Sequence, residues 1–263
     1  MKRLRKAFPV ILFLFCAAFS SVADDGVSGN NDKLLARAEQ LLTNYKDSEA
    51  LAVYEKILAE AADNYIALCK ASYLHCRISE RYTDETKKLE HVAKARTYAN
   101  RAYALNPVDA ESNYVMALSL GCQALVAGPK ERLTSINELK SFVDAALAAD
   151  AEHAGAWHIL GRWYFKMANL NFAEKAASKF LFGGICGTAT NKDAAEAIER
   201  AIAYNPKNIR YYYDLALIYD EMKDREACIE TLTKALALTT LDTKEELELS
   251  RRCKIMLQEK KGT

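Results

Sequence analysis

Residues 157–165 read WHILGRWYF. Steps of three and four residues separate Trp157, Leu160, Gly161 and Tyr164, which sets the large side chains on one face of a helix. Glycine at 161 leaves that face a gap through which a neighbouring helix can approach closely. Two segments elsewhere end alike, RAYALNP at 101–107 and RAIAYNP at 200–206, with Ala102 or Ala201 standing five residues before Pro107 or Pro206. AALAADA around Ala146 and KALALTT around Ala235 are degenerate copies of that ending. Proline lacks an N–H and fixes its own φ, so it is expected to end one helix and start the next. Each unit is then a helical hairpin, and the hairpin recurs.

The order W-x-x-L-G-x-x-Y is that of the first helix of a tetratricopeptide (TPR) unit. Counted from Ile209, the last unit fits the 34-residue length without a gap, with Tyr212, Leu215, Ala216, Tyr219, Cys228, Leu232 and Ala235 at the packing positions. Two earlier units are longer by roughly 10 and 21 residues than the 34-residue unit. The additions fall at GPKERLTS, residues 128–135, and at Asn169 to Asn191. A further unit starts near Tyr65, with Leu68, Ala71 and Ser72 packing, and an opening helix pair covers residues 32–62. The expectation is an all-α, TPR-like right-handed stack of about twelve helices over residues 32–260, each hairpin burying its face on the next, with inserted segments between helices.

With ten glycines, four prolines and no alternating Val/Ile/Thr-rich runs, the signals for strands and hairpins are weak. Basic and acidic side chains nearly balance, 36 against 35, which gives no broad field for nucleic acid or a membrane surface. The first 23 residues differ. Lys2, Arg3, Arg5 and Lys6 precede an apolar run from Ala7 to Phe19, then Ser21-Val22-Ala23. This three-part pattern is that of a secretory signal peptide, cleaved after Ala23 and sending the chain to a periplasm or cell envelope if the source is a bacterium with two membranes. Contact with a membrane is expected only through this leader, were it left uncleaved. The polar segment 24–31 behind it is expected to be disordered.

The succession GPKERLTS, ILGRWYF, NFAEKAASKFLFGG and AAEAIERAIAYNP resembles the TPR proteins called regulators of microtubule dynamics and their bacterial relatives, over about Ala50 to Leu238. The resemblance implies an α-helical TPR-like domain that acts through protein contacts and, in the eukaryotic members, an association with microtubules.

A search for chemistry finds little. His153 and His158 are five apart, about 140° around a helix, so they do not make the i, i+4 pair of a zinc motif. His75 and His91 belong to no metal pattern, and H-E-x-x-H, C-x-x-C, G-x-S-x-G and Walker-type sequences do not occur. Cys69 and Cys76, seven apart on one helix, are about 10 Å apart along the axis and cannot pair. Cys186, in the glycine-rich loop after residue 182, has no neighbouring cation there to lower its pKa. Glu245 and Glu246 read as part of a solvated charged face. No catalytic residue, cofactor or metal is expected. The alternative of an enzyme with its site in the 169–191 insertion rests on Cys186.

The functional expectation is a non-enzymatic scaffold or adaptor that binds protein or peptide partners through its concave face, with a microtubule regulator as the alternative. In a TPR stack the first helix of each hairpin lines that face. Its groove candidates are Lys70, Tyr73 and Arg77, then Tyr114, then His158, Arg162 and Lys166, then Tyr213 and Asp214. Their Lys, Arg and His donors suit an acidic or C-terminal carboxylate segment.

Overall fold

The computed structural model describes residues 24–182, 189–238 and 243–262, and the described residues form twelve helices without a strand. Residues 1–23, expected to be a leader, and Cys186, expected to sit in a glycine-rich loop, lie outside them. In chain order the helices are α1 (Asp24–Thr43), α2 (Asp47–Glu60), α3 (Tyr65–Ser79), α4 (Glu85–Leu105), α5 (Ala110–Val126) and α6 (Pro129–Ala149). Then follow α7 (Ala154–Ala168), α8 (Phe172–Phe182), α9 (Asn191–Tyr204), α10 (Ile209–Glu221), α11 (Arg225–Leu236) and α12 (Lys244–Gly262). The hairpins are α1/α2, α3/α4, α5/α6, α7/α9 and α10/α11, and α12 closes the stack.

Small side chains at the hairpin interfaces let the helices approach. Ala102, Ala201 and Ala235, read from the recurring endings, are fully buried, as are Ala67, Ala71, Ala156 and Ala216 on the facing helices. Around them Tyr54, Ile57, Leu68, Leu74, Leu120, Ile198 and Leu232 are sealed from solvent, each large apolar side chain contributing about 1.5–3 kcal/mol. Leu160, Tyr212 and Leu215 are buried and Trp157, Tyr164 and Tyr219 partly so. At Gly161 a Cβ would stand 2.6 Å from Ile198 and 3.0 Å from the Ala194 carbonyl of α9. The glycine of the motif is a point of close contact between α7 and α9.

Four details differ from the sequence expectation. Pro107 and Pro206 follow the ends of α4 and α9 but do not start the next helix. Asp109 and Asn208 do so, their side chains accepting the N–H of Glu111 and of Arg210. The added segment 128–135 is no loop: Pro129, at the first position of α6, needs no N–H partner there, and the insertion lengthens that helix. The 169–191 insertion contains α8, which packs against α6 and leaves α7 to pair with α9. Helix α1 reaches back to Asp24, through the segment expected to be disordered, where the Asn30 amide donates to Glu60 (3.2 Å) and Asn31 is buried.

The first and last hairpin turns share one geometry. Tyr45 and Lys223 adopt φ of 57° and 63°, and the next residue's N–H returns to a carbonyl five residues earlier, Lys46 to Leu41 and Asp224 to Tyr219. This is the helix-ending motif that favours glycine at the left-handed position.

Candidate protein-binding face

Helices α3, α5, α7, α10 and α12 contact one another in that order and form the inner layer of the stack. Four of them carry the groove candidates. Tyr114 of α5 packs on the His153 ring (4.5 Å) and closely on Gly155, where a Cβ would lie 2.7 Å from the tyrosine ring. His153 caps α7 through Nδ1, which accepts the Ala156 N–H at 3.1 Å. Its Nε2–H is therefore the donor toward Glu111 at 3.2 Å.

At the centre, His158 Nε2 lies 2.7 Å from Asp214 Oδ2, with the Tyr211 ring 4.6 Å from the imidazole. Arg162 approaches the same carboxylate only to 3.9 Å. Burial lowers the pKa of His158 in spite of that partner. Desolvation pushes the Asp214 carboxyl up, but the hydrogen bond from His158 and the Arg162 and Arg210 charges outweigh it and hold the group below its usual range. The structure therefore joins His158, Arg162 and Asp214, three of the candidates, in one cluster.

The other candidates are engaged differently. Arg77, beside Tyr73, holds the wholly buried carboxylate of Asp47 at 3.1 Å, and Arg81 binds the same oxygen. Lys70 stands 3.9 Å from Glu39, whose Oε1 already accepts the Tyr54 hydroxyl at 2.6 Å. Lys166 turns to α8 and binds Glu174 at 2.7 Å, holding its carboxyl below the usual range; it anchors the inserted helix. Tyr213 lines a separate cavity of about 310 Å³ with Leu217 and Arg252, between α10 and α12.

Several contributors escaped the sequence reading. Arg81 binds Glu245 at 2.5 Å, and Arg210 binds Glu80 at 2.9 Å. Both pairs cross from the end of the α3 hairpin to α12 and α10. Glu245 is thus a cross-stack partner, while Glu246 caps α12 by accepting the Thr243 N–H. Asp47 gave no signal because its partners lie about 30 residues away, a distance no local pattern spans. Among the described residues no group of three or more His, Cys, Asp or Glu side chains could hold a metal ion, and no helix is long and apolar enough to cross a membrane.

The sequence profile of the family described as Regulator of microtubule dynamics protein 1-3 matches residues 34–261. The chain belongs to that family. Regulator of microtubule dynamics protein 1 of Bos taurus is 26% identical over 211 residues, 79% of this chain and 60% of the relative's length. The protein of the same name from Caenorhabditis elegans is 25% identical over 165 residues, 63% of this chain and 72% of the relative. The chain therefore spans less than two thirds of the bovine member. Among solved structures, a thermophilic TPR protein of Thermus thermophilus superposes with a TM-score of 0.62 at 17% identity, covering 87% of this chain and 99% of that one. The fold is the TPR-like stack of helical hairpins, as the sequence implied.

Proposed function

We propose that this chain is a non-catalytic scaffold that binds a protein partner along the inner face of its helix stack, with Arg162 and Lys70 receiving carboxylates of an acidic segment. The observation that carries the reading is how loosely these two cations are held. Each stands 3.9 Å from a carboxylate oxygen that is itself committed, to Tyr54 at 2.6 Å or to His158 at 2.7 Å. Their donors remain available, whereas Arg77 and Lys166 are spent on Asp47 and Glu174. The TPR-like architecture supports the same reading, because repeat stacks present extended binding surfaces.

The test places a photo-crosslinking residue at Tyr213 on the inner layer or at the exposed Lys192 of α9, identifies the captured partner, and measures its Kd for Arg162→Gln and Lys70→Gln. Losing one charge-assisted hydrogen bond, about 1.5–3 kcal/mol, weakens binding tenfold or more. Equal capture from Lys192, together with unchanged Kd in both variants, would refute the reading.

Membership of the family favours a second reading, a regulator of microtubule dynamics. Co-sedimentation with polymerised tubulin decides it, and pelleting retained by Arg162→Gln/Lys70→Gln would put the tubulin contact on another face. Residues 1–23 support export with cleavage after Ala23. Mass spectrometry of the native N-terminus in fractionated cells tests that, since an exported chain does not meet cytosolic tubulin.

A further inference from the structure

Five cysteines of the described residues are free and buried: Cys69, Cys76, Cys122, Cys228 and Cys253. Two of them share a small cluster. Cys76 on α3 and Cys122 on α5 pack together with Val92 and Ala95 of α4, the helix that lies against both. There the two thiols are neighbours in one buried cluster, close enough for Cys122 to act on the ionisation of Cys76. Cys69 lies a full two turns away from Cys76 on the same helix and has no such neighbour among the described cysteines.

We propose that Cys76 and Cys122 form an intramolecular disulfide on exchange with a low-molecular-weight disulfide, tying α3 to α5. A disulfide brings its sulfurs to about 2.05 Å, closer than two unbonded thiols can lie, so the two helices must give slightly as it closes. In the first step one cysteine thiolate attacks the external disulfide; its S–S bond breaks, a mixed disulfide forms, and one small thiol leaves with a proton. The second cysteine then attacks its neighbour's sulfur and releases the second small thiol. Two protein thiols are oxidised, one external disulfide is reduced, and the two protons go to the departing thiols.

The surroundings set the rate. The neighbouring thiol and burial push the Cys76 thiol up, so the thiolate that performs exchange is scarce in the closed cluster, and reaction proceeds through local opening or during folding. The bond acts on the binding face as well. Helix α3 carries Lys70 and Tyr73 and α5 carries Tyr114, so a covalent tie between them fixes the spacing of two adjacent hairpins.

The test equilibrates the purified full chain with mixtures of oxidised and reduced glutathione, in enough urea to let the cluster open without global unfolding. Samples are quenched in acid, unfolded, alkylated and mapped by mass spectrometry. As the mixture becomes oxidising, peptides carrying Cys76 and Cys122 lose the alkyl label together and reappear as one linked pair, while Cys69, Cys228 and Cys253 keep theirs. The oxidised chain melts several degrees higher. Cys76→Ala and Cys122→Ala each abolish the linked peptide and the shift in Tm. Full labelling of both positions at every ratio, or pairing of either with another cysteine, overturns the proposal, and the wild-type map alone is sufficient to show it.

Discussion

Gly161→Ala adds one methyl group where the structure has no room for it. The new Cβ would meet Ile198 Cδ1 and Cγ1 at 2.6 Å and the Ala194 carbonyl at 3.0 Å. The isoleucine side chain is fully buried and the carbonyl belongs to the α9 backbone, so neither retreats freely. Overpacking of this kind costs about 1–3 kcal/mol, while alanine in place of glycine returns about 0.8–1 kcal/mol of helix propensity. With neither neighbour free to retreat, the cost falls in the upper half of that range and the net expectation is a loss of about 1–2 kcal/mol, a fall in Tm of about 2–8 °C for a chain of this size. Removing the obstacle reverses the sign. In an Ile198→Ala background, itself about 2–5 kcal/mol less stable, the two closest of these contacts are gone, and Gly161→Ala becomes neutral or stabilising. Urea unfolding of the four variants, followed by the fluorescence of Trp157 and Trp163 on the same helix, gives the coupling energy. A Gly161→Ala chain as stable as wild type, or equal effects of the substitution in both backgrounds, would refute the account of the motif glycine as a packing gap.

His75 is fully buried, with Nε2 3.2 Å from Glu55 and Nδ1 2.8 Å from His91 Nδ1, near Lys94 and Tyr98. Desolvation lowers its pKa to about 4. A histidine depressed in the fold contributes stability that is fully present above the unfolded value near 6.5 and is lost as pH falls from there toward 4. Urea midpoints between those pH values should fall by the equivalent of up to about 1.4 kcal/mol per pH unit, and His75→Gln should flatten that slope; an unchanged slope refutes the assignment. Arg77→Ala and Arg81→Ala each leave Asp47 one guanidinium, whereas the double variant leaves a buried carboxylate unpaired, which costs about 3–5 kcal/mol. The double variant should exceed the sum of the singles, and strict additivity would count against the shared ion pair. Lys223→Gly relieves a left-handed residue and should stabilise by about 0.5–1 kcal/mol; a loss of stability, measured by thermal melting, refutes the turn assignment.

The hairpins were legible because their information is local. WHILGRWYF and the two N-P endings mark helix faces and helix ends within a few residues, and α7, α9, α10 and α11 lie where those patterns put them. The insertions can be located in the sequence but read there as connections, since GPKERLTS joins a turn signal, Gly128-Pro129, to a good helical sequence, and the proline at the first helical position decides between them. The face was half legible. Helical spacing puts Lys70, Tyr73 and Arg77 on one stripe, but which cation is free depends on carboxylates elsewhere in the chain: Glu39 for Lys70, Asp47 for Arg77, Glu174 for Lys166.

Those internal carboxylates bear on how the face would receive the acidic segment proposed for it. In a repeat stack each hairpin touches only its neighbours, yet Arg81–Glu245 and Arg210–Glu80 join the α3 hairpin to the last two inner helices. All four side chains are about one third exposed, so each pair adds no more than about 1 kcal/mol to stability. Their leverage is on shape, because they span separate units and hold the ends of the inner layer together. An acidic segment entering this face competes with Glu80 and Glu245 for the same guanidiniums. Where it wins, it removes a tie between distant hairpins; where it reaches only Arg162 and Lys70, the ties persist. On the proposed reading, a segment with two well-spaced carboxylates therefore binds better than a uniformly acidic one that must also break the cross-stack pairs.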